Sequence, residues 1–155
     1  MEIEVLTRSK QKGISELLGN SAAFFAKKLN VEKCNYKVYI CTKRNLKREG
    51  HMGLCAKTGE REITIAVDSN LPLPNILYTL AHEMVHAKQY CRGQYRSELA
   101  KNGRFRRYWL GKQVKAKYED RPWELEAFKR EGILVSQLLD HVAQTKKKNK
   151  KRSWQ

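Results

Sequence analysis

"LAHEMVHAKQY", Leu80 to Tyr90, sets two histidines four residues apart with a glutamate directly after the first. On an α-helix, residues four apart differ by about 40° in azimuth and about 6 Å along the axis, so two imidazoles can converge on one cation. Zinc accepts such nitrogens at about 2.0–2.1 Å. Glu83 lies about 100° around from His82, where it can flank a metal without ligating it and take a proton from metal-bound water. Zinc draws the pKa of that water towards ~7, and a neighbouring carboxylate completes the proton removal as general base. His-Glu-x-x-His also arises by accident on ordinary amphipathic helices. Two local features oppose that bland reading. Ala81, Met84 and Val85 are apolar, as a core-facing active-site helix requires, and two of the four histidines in the chain occupy this one turn.

Working outward, the spacing predicts a helix from about Pro74, with Ile76, Leu77, Leu80, Ala81, Met84 and Val85 as its apolar stripe. Before it, "GLCAKTGEREITIAVD" reads as a hairpin across "TGE", its second arm alternating Ile63, Ile65 and Val67. "NYKVYICT" alternates Tyr36, Val38 and Ile40 as a half-buried strand does. Residues 13–30 carry Ile14, Leu17, Leu18, Phe24, Phe25 and Leu29 at helical spacing, with Lys27 and Lys28 where cations suit the helix dipole. Residues 92–118 are basic and poorly periodic, and "YEDRPWELEAFKREGILVSQLLDHVAQ" reads as a last helix opening at Pro122, with Asp120 as its cap. The expected class is α+β: a small antiparallel sheet packed with an N-terminal helix, a His-Glu-x-x-His helix and a C-terminal helix.

The chain of 155 residues is expected to form one domain over 1–143, followed by a basic, disordered tail over 144–155. Lys and Arg number 32 against 16 Asp and Glu, a formal charge of +16. "KKKNKKR", Lys146 to Arg152, holds six of the cations, which leaves the body 26 against 16, or +10. Such an excess suits acidic surfaces, nucleic acid first among intracellular ones. "RFRRYW", Arg104 to Trp109, interleaves cations with aromatics and reads either as a phosphate-contacting segment or as a strand with one charged face. No apolar run suggests a membrane span, and "MEIEVLTRSK" lacks the apolar core of a secretion signal, so a cytoplasmic protein is expected. Cys34, Cys41, Cys55 and Cys91 form no C-x-x-C pair and are expected, in a reducing compartment, as small buried apolar residues.

Two histidines do not complete a catalytic zinc site, which takes a third protein ligand and keeps one position open. His51, in a polar loop, and His141, near the tail, read as surface residues. "PWELEA" offers carboxylates at Glu124 and Glu126; two positions apart is about 200° around a helix, so only one can face the metal.

"LAHEMVHAKQ" after a "REITIAVD" strand resembles the SprT-like and minimal gluzincin-type zinc metallopeptidases. "YEDRPWELEAF" is similar to the Tyr-x-x-x-Pro-Trp-Glu-x-Glu-Ala segment of small members, many from bacteriophages. The resemblance spans about residues 36–130 and implies one catalytic Zn2+ held by His82, His86 and Glu124, with Glu126 as the alternative third ligand and Glu83 as catalytic base. SprT-type proteins take their third ligand from a His-Gly pair before a Phe; here that stretch is "NGRF", with Asn102 where the histidine would stand. The implied activity is hydrolysis of peptide bonds in a protein or peptide substrate. Association with nucleic acid would run through the basic body and the Lys146–Arg152 tail. The rival reading is a basic nucleic-acid-binding protein whose zinc is structural or catalytically inactive. Glu83 favours the enzyme, because a structural zinc has no use for it.

Overall fold

Residues 2–43 build a strand, a helix and a second strand, and the helix carries the chain over the sheet so that the two strands lie parallel. The computed structural model describes residues 1–6 and 13–154; residues 7–12 of the expected domain and residue 155 of the expected tail lie outside the described residues. β1 (Glu2–Val5) pairs in parallel with β2 (Lys37–Lys43), with Ile3 opposite Val38. Between them α1 (Ile14–Lys28) buries Leu18, Ala22, Phe25 and Ala26 at three- and four-residue spacing. Gly13 opens it at φ 93°, a left-handed backbone that glycine takes without strain.

After β2 a short 3-10 turn (Leu46–Glu49) leads into β3 (Gly53–Gly59) and β4 (Glu62–Asp68). The buried Asp68 carboxylate accepts the N–H groups of Lys47 at 2.8 Å and Asn70 at 2.9 Å, tying this loop to the end of β4. β3 and β4 form the expected antiparallel hairpin, yet β4 inserts between β2 and β3, giving the order β1-β2-β4-β3. β2 and β4 run parallel, with Ile40 opposite Ile65. The α+β class therefore stands, while the expected antiparallel sheet is corrected to a mixed one. Only the hairpin has a local turn signature; the parallel pairings join segments separated by a helix or by the hairpin itself. Val38, Ile40, Ile63, Ile65 and Val67 are fully buried on the sheet face that receives the helices.

α2 (Leu73–Cys91) crosses that face with Pro74 in its first turn and buries Ile76, Leu80, Met84 and Val85 along the expected stripe. The segment left without clear periodicity folds into a second, antiparallel sheet of β5 (Tyr95–Leu99), β6 (Phe105–Trp109) and β7 (Lys112–Val114). "RFRRYW" thus lies on a strand. Leu110 (φ 48°) and Gly111 (φ 82°) close the β6–β7 turn, both left-handed as a two-residue hairpin of this twist demands.

α3 (Pro122–Ser153) packs on α2 and α1 and adds Ala127, Leu134, Val135 and Leu138 to the core. Tyr95 and Trp109 place their rings 4.8 Å and 6.5 Å from that of buried Trp123, which fixes the second sheet to the start of α3. Arg121, not Asp120, occupies the cap position, and no side chain caps the helix. The helix continues through the run set apart as a disordered tail. Lys, Arg and Gln are good helix formers, and cations at a C-terminus suit the dipole. From Leu139 to Trp154 every side chain is exposed. No described helix is long and apolar enough to cross a membrane.

Candidate metal centre

α2 and α3 approach closely where Ala127, fully buried, offers no bulk between them. That contact brings the His82 and His86 side of α2 against the first turn of α3. His82 Nε2 lies 3.2 Å, and His86 Nε2 3.4 Å, from the same Glu124 oxygen, Oε2. The three ligand atoms all fall within 4.8 Å of one another. Bonds of ~2.05 Å at the tetrahedral angle put neighbouring ligand atoms about 3.3 Å apart. The two distances from Glu124 Oε2 match that spacing.

The outer nitrogens explain why these rings face inward. His82 Nδ1 lies 2.7 Å from Glu131 Oε2, and His86 Nδ1 lies 2.8 Å from Gln89 Oε1. Gln89 has its orientation set from the other end, since its Nε2 donates to the Trp123 carbonyl at 2.9 Å and to Glu126 at 3.0 Å. Both histidines therefore meet an acceptor at Nδ1, and that nitrogen carries the proton in each. A neutral ring then directs an unprotonated Nε2 at a carboxylate oxygen. Two lone pairs and an anion facing one another are stable only with a cation among them or with both rings protonated. Such a donor set, with its outer hydrogen bonds already made, fits zinc.

Electrostatics tell the same story in the metal-free state. Burial presses both imidazole pKa values down, but hydrogen bonding to Glu124 and the nearby Glu83 charge outweigh it, and both end raised above 6.5. Burial likewise pushes the Glu124 carboxyl up, and hydrogen bonds from His82 and His86 override it, holding Glu124 far below the usual carboxylate range. Tyr118 donates its hydroxyl to the same Oε2 at 3.0 Å. Glu83 differs from Glu124: burial dominates, and although His86 and His82 oppose the shift, its pKa ends raised above 4.5. One carboxylate is tuned to stay ionised and the other to hold a proton more readily.

Glu126 faces elsewhere. It pairs with buried Lys88 and with Arg130 at 3.1 Å, tying α3 to the back of α2. Of the two carboxylates left open by the sequence, Glu124 alone joins the histidine cluster. His51 is exposed at the rim of the cleft, and His141 packs on Phe24 at 5.2 Å; neither belongs to the cluster. Of three tyrosines, one on α2, one on β6 and one before α3, Tyr90 packs on Tyr95 and Tyr108 lies under Arg96, whereas Tyr118 reaches the site. Glu131 and Gln89 were not anticipated. Gln89 follows His86 by three positions and Glu131 follows Glu124 by seven, so helical spacing held a signal for both.

A cleft of about 780 Å³ opens beside the cluster, with His82, Glu83 and Glu131 on one side and Met52, Tyr78 and Phe128 giving it apolar walls. Gly53, at the start of β3, forms part of its wall. A Cβ there would come within 2.5 Å of Thr79 Cγ2 and 2.8 Å of Glu83 Oε1, so the backbone of β3 approaches the glutamate as only glycine allows. The four cysteines are free and half-buried rather than fully buried, and none belongs to the cluster.

Compared with protein-family profiles, curated proteins and solved structures, the chain matches none. The site itself carries the functional reading: a cluster consistent with a zincin-like metal centre, arranged as in a zinc-protease-type active site.

Proposed function

We propose that this chain is a zinc-dependent metallopeptidase, with His82, His86 and Glu124 as the metal ligands and Glu83 as the general base. The observation that carries the proposal is the shared Glu124 oxygen at 3.2 Å and 3.4 Å from two inward-facing Nε2 atoms, with Glu83 buried on the same helix turn. His82, His86 and Glu124 would hold the zinc, which when bound would supply a Lewis acid and lower the pKa of a bound water towards ~7. Glu83, whose proton affinity is raised by burial, is suited to serve as the base that would take a proton from such a water and to return a proton to a leaving amine. Glu131 and Gln89 keep the histidines in the ligating tautomer. Tyr118 lines the cleft and donates its one hydroxyl proton to Glu124, which holds that carboxylate in place.

β3 is an edge strand, and its first residue touches Glu83. An extended peptide added along that edge would run past the general base, with main-chain hydrogen bonds holding it and the apolar walls of the cleft accepting a side chain. Affinity with SprT-like and gluzincin-type enzymes belongs to this proposal and is supported by the His82–His86 and Pro122–Ala127 motifs. The ligand set follows the gluzincin pattern, with a glutamate from a following helix in place of a third histidine. The direct test is zinc content together with cleavage of an unfolded protein substrate by wild type and Glu83→Gln. One zinc per chain in both, with cleavage in wild type only, supports the reading. Cleavage by Glu83→Gln would remove Glu83 as the base.

A further inference from the structure

α2 ends on Cys91, and Cys34 stands in the loop between α1 and β2. Cys34 Sγ lies 3.8 Å from the Cys91 carbonyl oxygen, although 57 positions separate the two in the chain. Burial first, and the Cys34 thiol second, push the Cys91 thiol up to about 12, so the two sulfurs are close enough to act on one another. Independent bonds hold this junction. Arg92 donates to the carbonyls of Leu29 at 3.3 Å and Asn30 at 3.5 Å, and the Cys34 N–H donates to the Val31 carbonyl at 2.9 Å. The loop is therefore fixed against the last turn of α2 whatever the state of the thiols. The other cysteines are less well placed. Cys55 senses Cys91 only behind burial and Glu83, and Cys41 senses burial and Lys43.

Access favours the same pair. Both residues are half-buried, and Cys34 lines a cleft of about 1010 Å³ together with Asn35, Tyr36 and Arg61, roomy enough to admit a small peptide. We propose that Cys34 and Cys91 form a redox modification site, which closes to a disulfide on reaction with a low-molecular-weight disulfide such as oxidised glutathione. Only a thiolate attacks a disulfide, and a thiol held near 12 is rarely ionised, which leaves the first attack to Cys34. Cys34 loses its proton to solvent, its sulfur bonds to one sulfur of the oxidised glutathione, and the other half leaves as a thiolate. Cys91 then gives up its proton and attacks Cys34 Sγ, expelling the second glutathione thiolate. Two protein thiols are oxidised, one small disulfide is reduced to two thiols, and the two protons end on them.

The bridge closes a loop that carries β2, β3, β4 and α2, and with them His82, Glu83 and His86. It pins the end of the histidine-bearing helix to the loop after α1, and it leaves Glu124 outside. A cross-link across so long a loop narrows the unfolded ensemble, so the oxidised chain gains stability over the reduced one.

The test is incubation of the full chain in mixtures of oxidised and reduced glutathione, followed by alkylation of the remaining thiols and peptide mapping by mass spectrometry. Neither zinc nor cleavage is measured, so the result stands apart from the peptidase reading. The linked peptides should be those of Cys34 and Cys91, with Cys41 and Cys55 still alkylated, and excess reduced glutathione should reopen the bridge. Cys91→Ser should stop at the mixed disulfide between Cys34 and glutathione, whereas Cys34→Ser should give no bridge. The bridged chain should melt about 5–10 °C above the reduced one, a shift that neither serine variant shows on oxidation. Four free thiols in folded protein under excess oxidised glutathione would overturn the proposal. So would a bridge through Cys55 or Cys41, a parent chain that halts at the mixed disulfide, or a Cys34–Cys91 bridge that forms as readily in denaturant, where the fold no longer brings the thiols together.

Discussion

Glu131 meets His82 Nδ1 at 2.7 Å from a position two helical turns beyond Glu124, so one face of α3 supplies both the carboxylate at the inner nitrogen and the carboxylate at the outer one. Seven residues make nearly two full turns, which stacks the two acids along the line where α3 meets α2. His82 is held between them.

That arrangement separates metal affinity from helix packing. Glu131→Ala removes only the outer partner and should lower zinc affinity by ~10- to 100-fold, measured by competition with a chromophoric chelator. Glu124→Ala should cost more than Glu131→Ala. Glu126→Ala should cost less zinc affinity than either, since Gln89 keeps its bond to the Trp123 carbonyl, and should mainly lower the melting temperature. It strands the Lys88 ammonium, whose side chain is 3% exposed, at a cost of about 3 kcal/mol. The opposite ranking would place the third ligand on Glu126.

The pH dependence of stability should reverse sign with metal. In the metal-free protein, His82 and His86 have folded-state pKa values above 6.5. Their stabilisation is complete below about pH 6.5 and fades as pH rises through the raised values. Glu124 has a depressed pKa, so its contribution is present above about pH 4.5 and is lost in acid. Metal-free protein should therefore be most stable between those limits. With zinc the ligands must be deprotonated, and stability should rise with pH across the same histidine range. Melting curves in chelator and in zinc from pH 5 to 9 check both signs.

Gly53→Ala should impair catalysis while leaving metal in place. The new methyl would sit 2.8 Å from Glu83 Oε1 and 2.5 Å from Thr79 Cγ2, so either the base or the strand must shift. The expected outcome is one zinc per chain, a lower kcat, and about 1–3 kcal/mol of lost stability from overpacking. Unchanged turnover would show that Glu83 is not held by this contact.

Trp123→Ala should loosen the second sheet from α3, since Tyr95 and Trp109 both pack on that indole. A loss of about 3–5 kcal/mol is expected, with a change in near-ultraviolet circular dichroism. A full near-ultraviolet spectrum with an unchanged melt would mean that the sheet is anchored elsewhere.

His82, Glu83 and His86 were legible in the sequence because their relationship is local: spacing on a single helix decides it. Glu124 and Glu126 could be narrowed to one but not separated by residue type, because the choice depends on the rotation of α3 about its own axis. Ala127 and Lys88 set that rotation from opposite sides of the contact. The hairpin announced itself through its turn, whereas β1 is four residues long and pairs in parallel across a helix. The second sheet was hidden for another reason. Cations stand on both faces of β6, Arg106 on one and Arg107 on the other, and this erases the polar–apolar alternation that marks a half-buried strand.

The central claim is that one zinc ion is shared by His82, His86 and Glu124 with a position left open. A crystal structure of the zinc-loaded protein, with anomalous data at the zinc edge, tests it most directly. The account predicts one peak about 2.0–2.1 Å from each Nε2 and about 2.0–2.2 Å from a Glu124 oxygen, with water in the fourth position. A peak on His51 or on the cysteines, an edge that identifies iron, or a fourth protein ligand closing the site would contradict it.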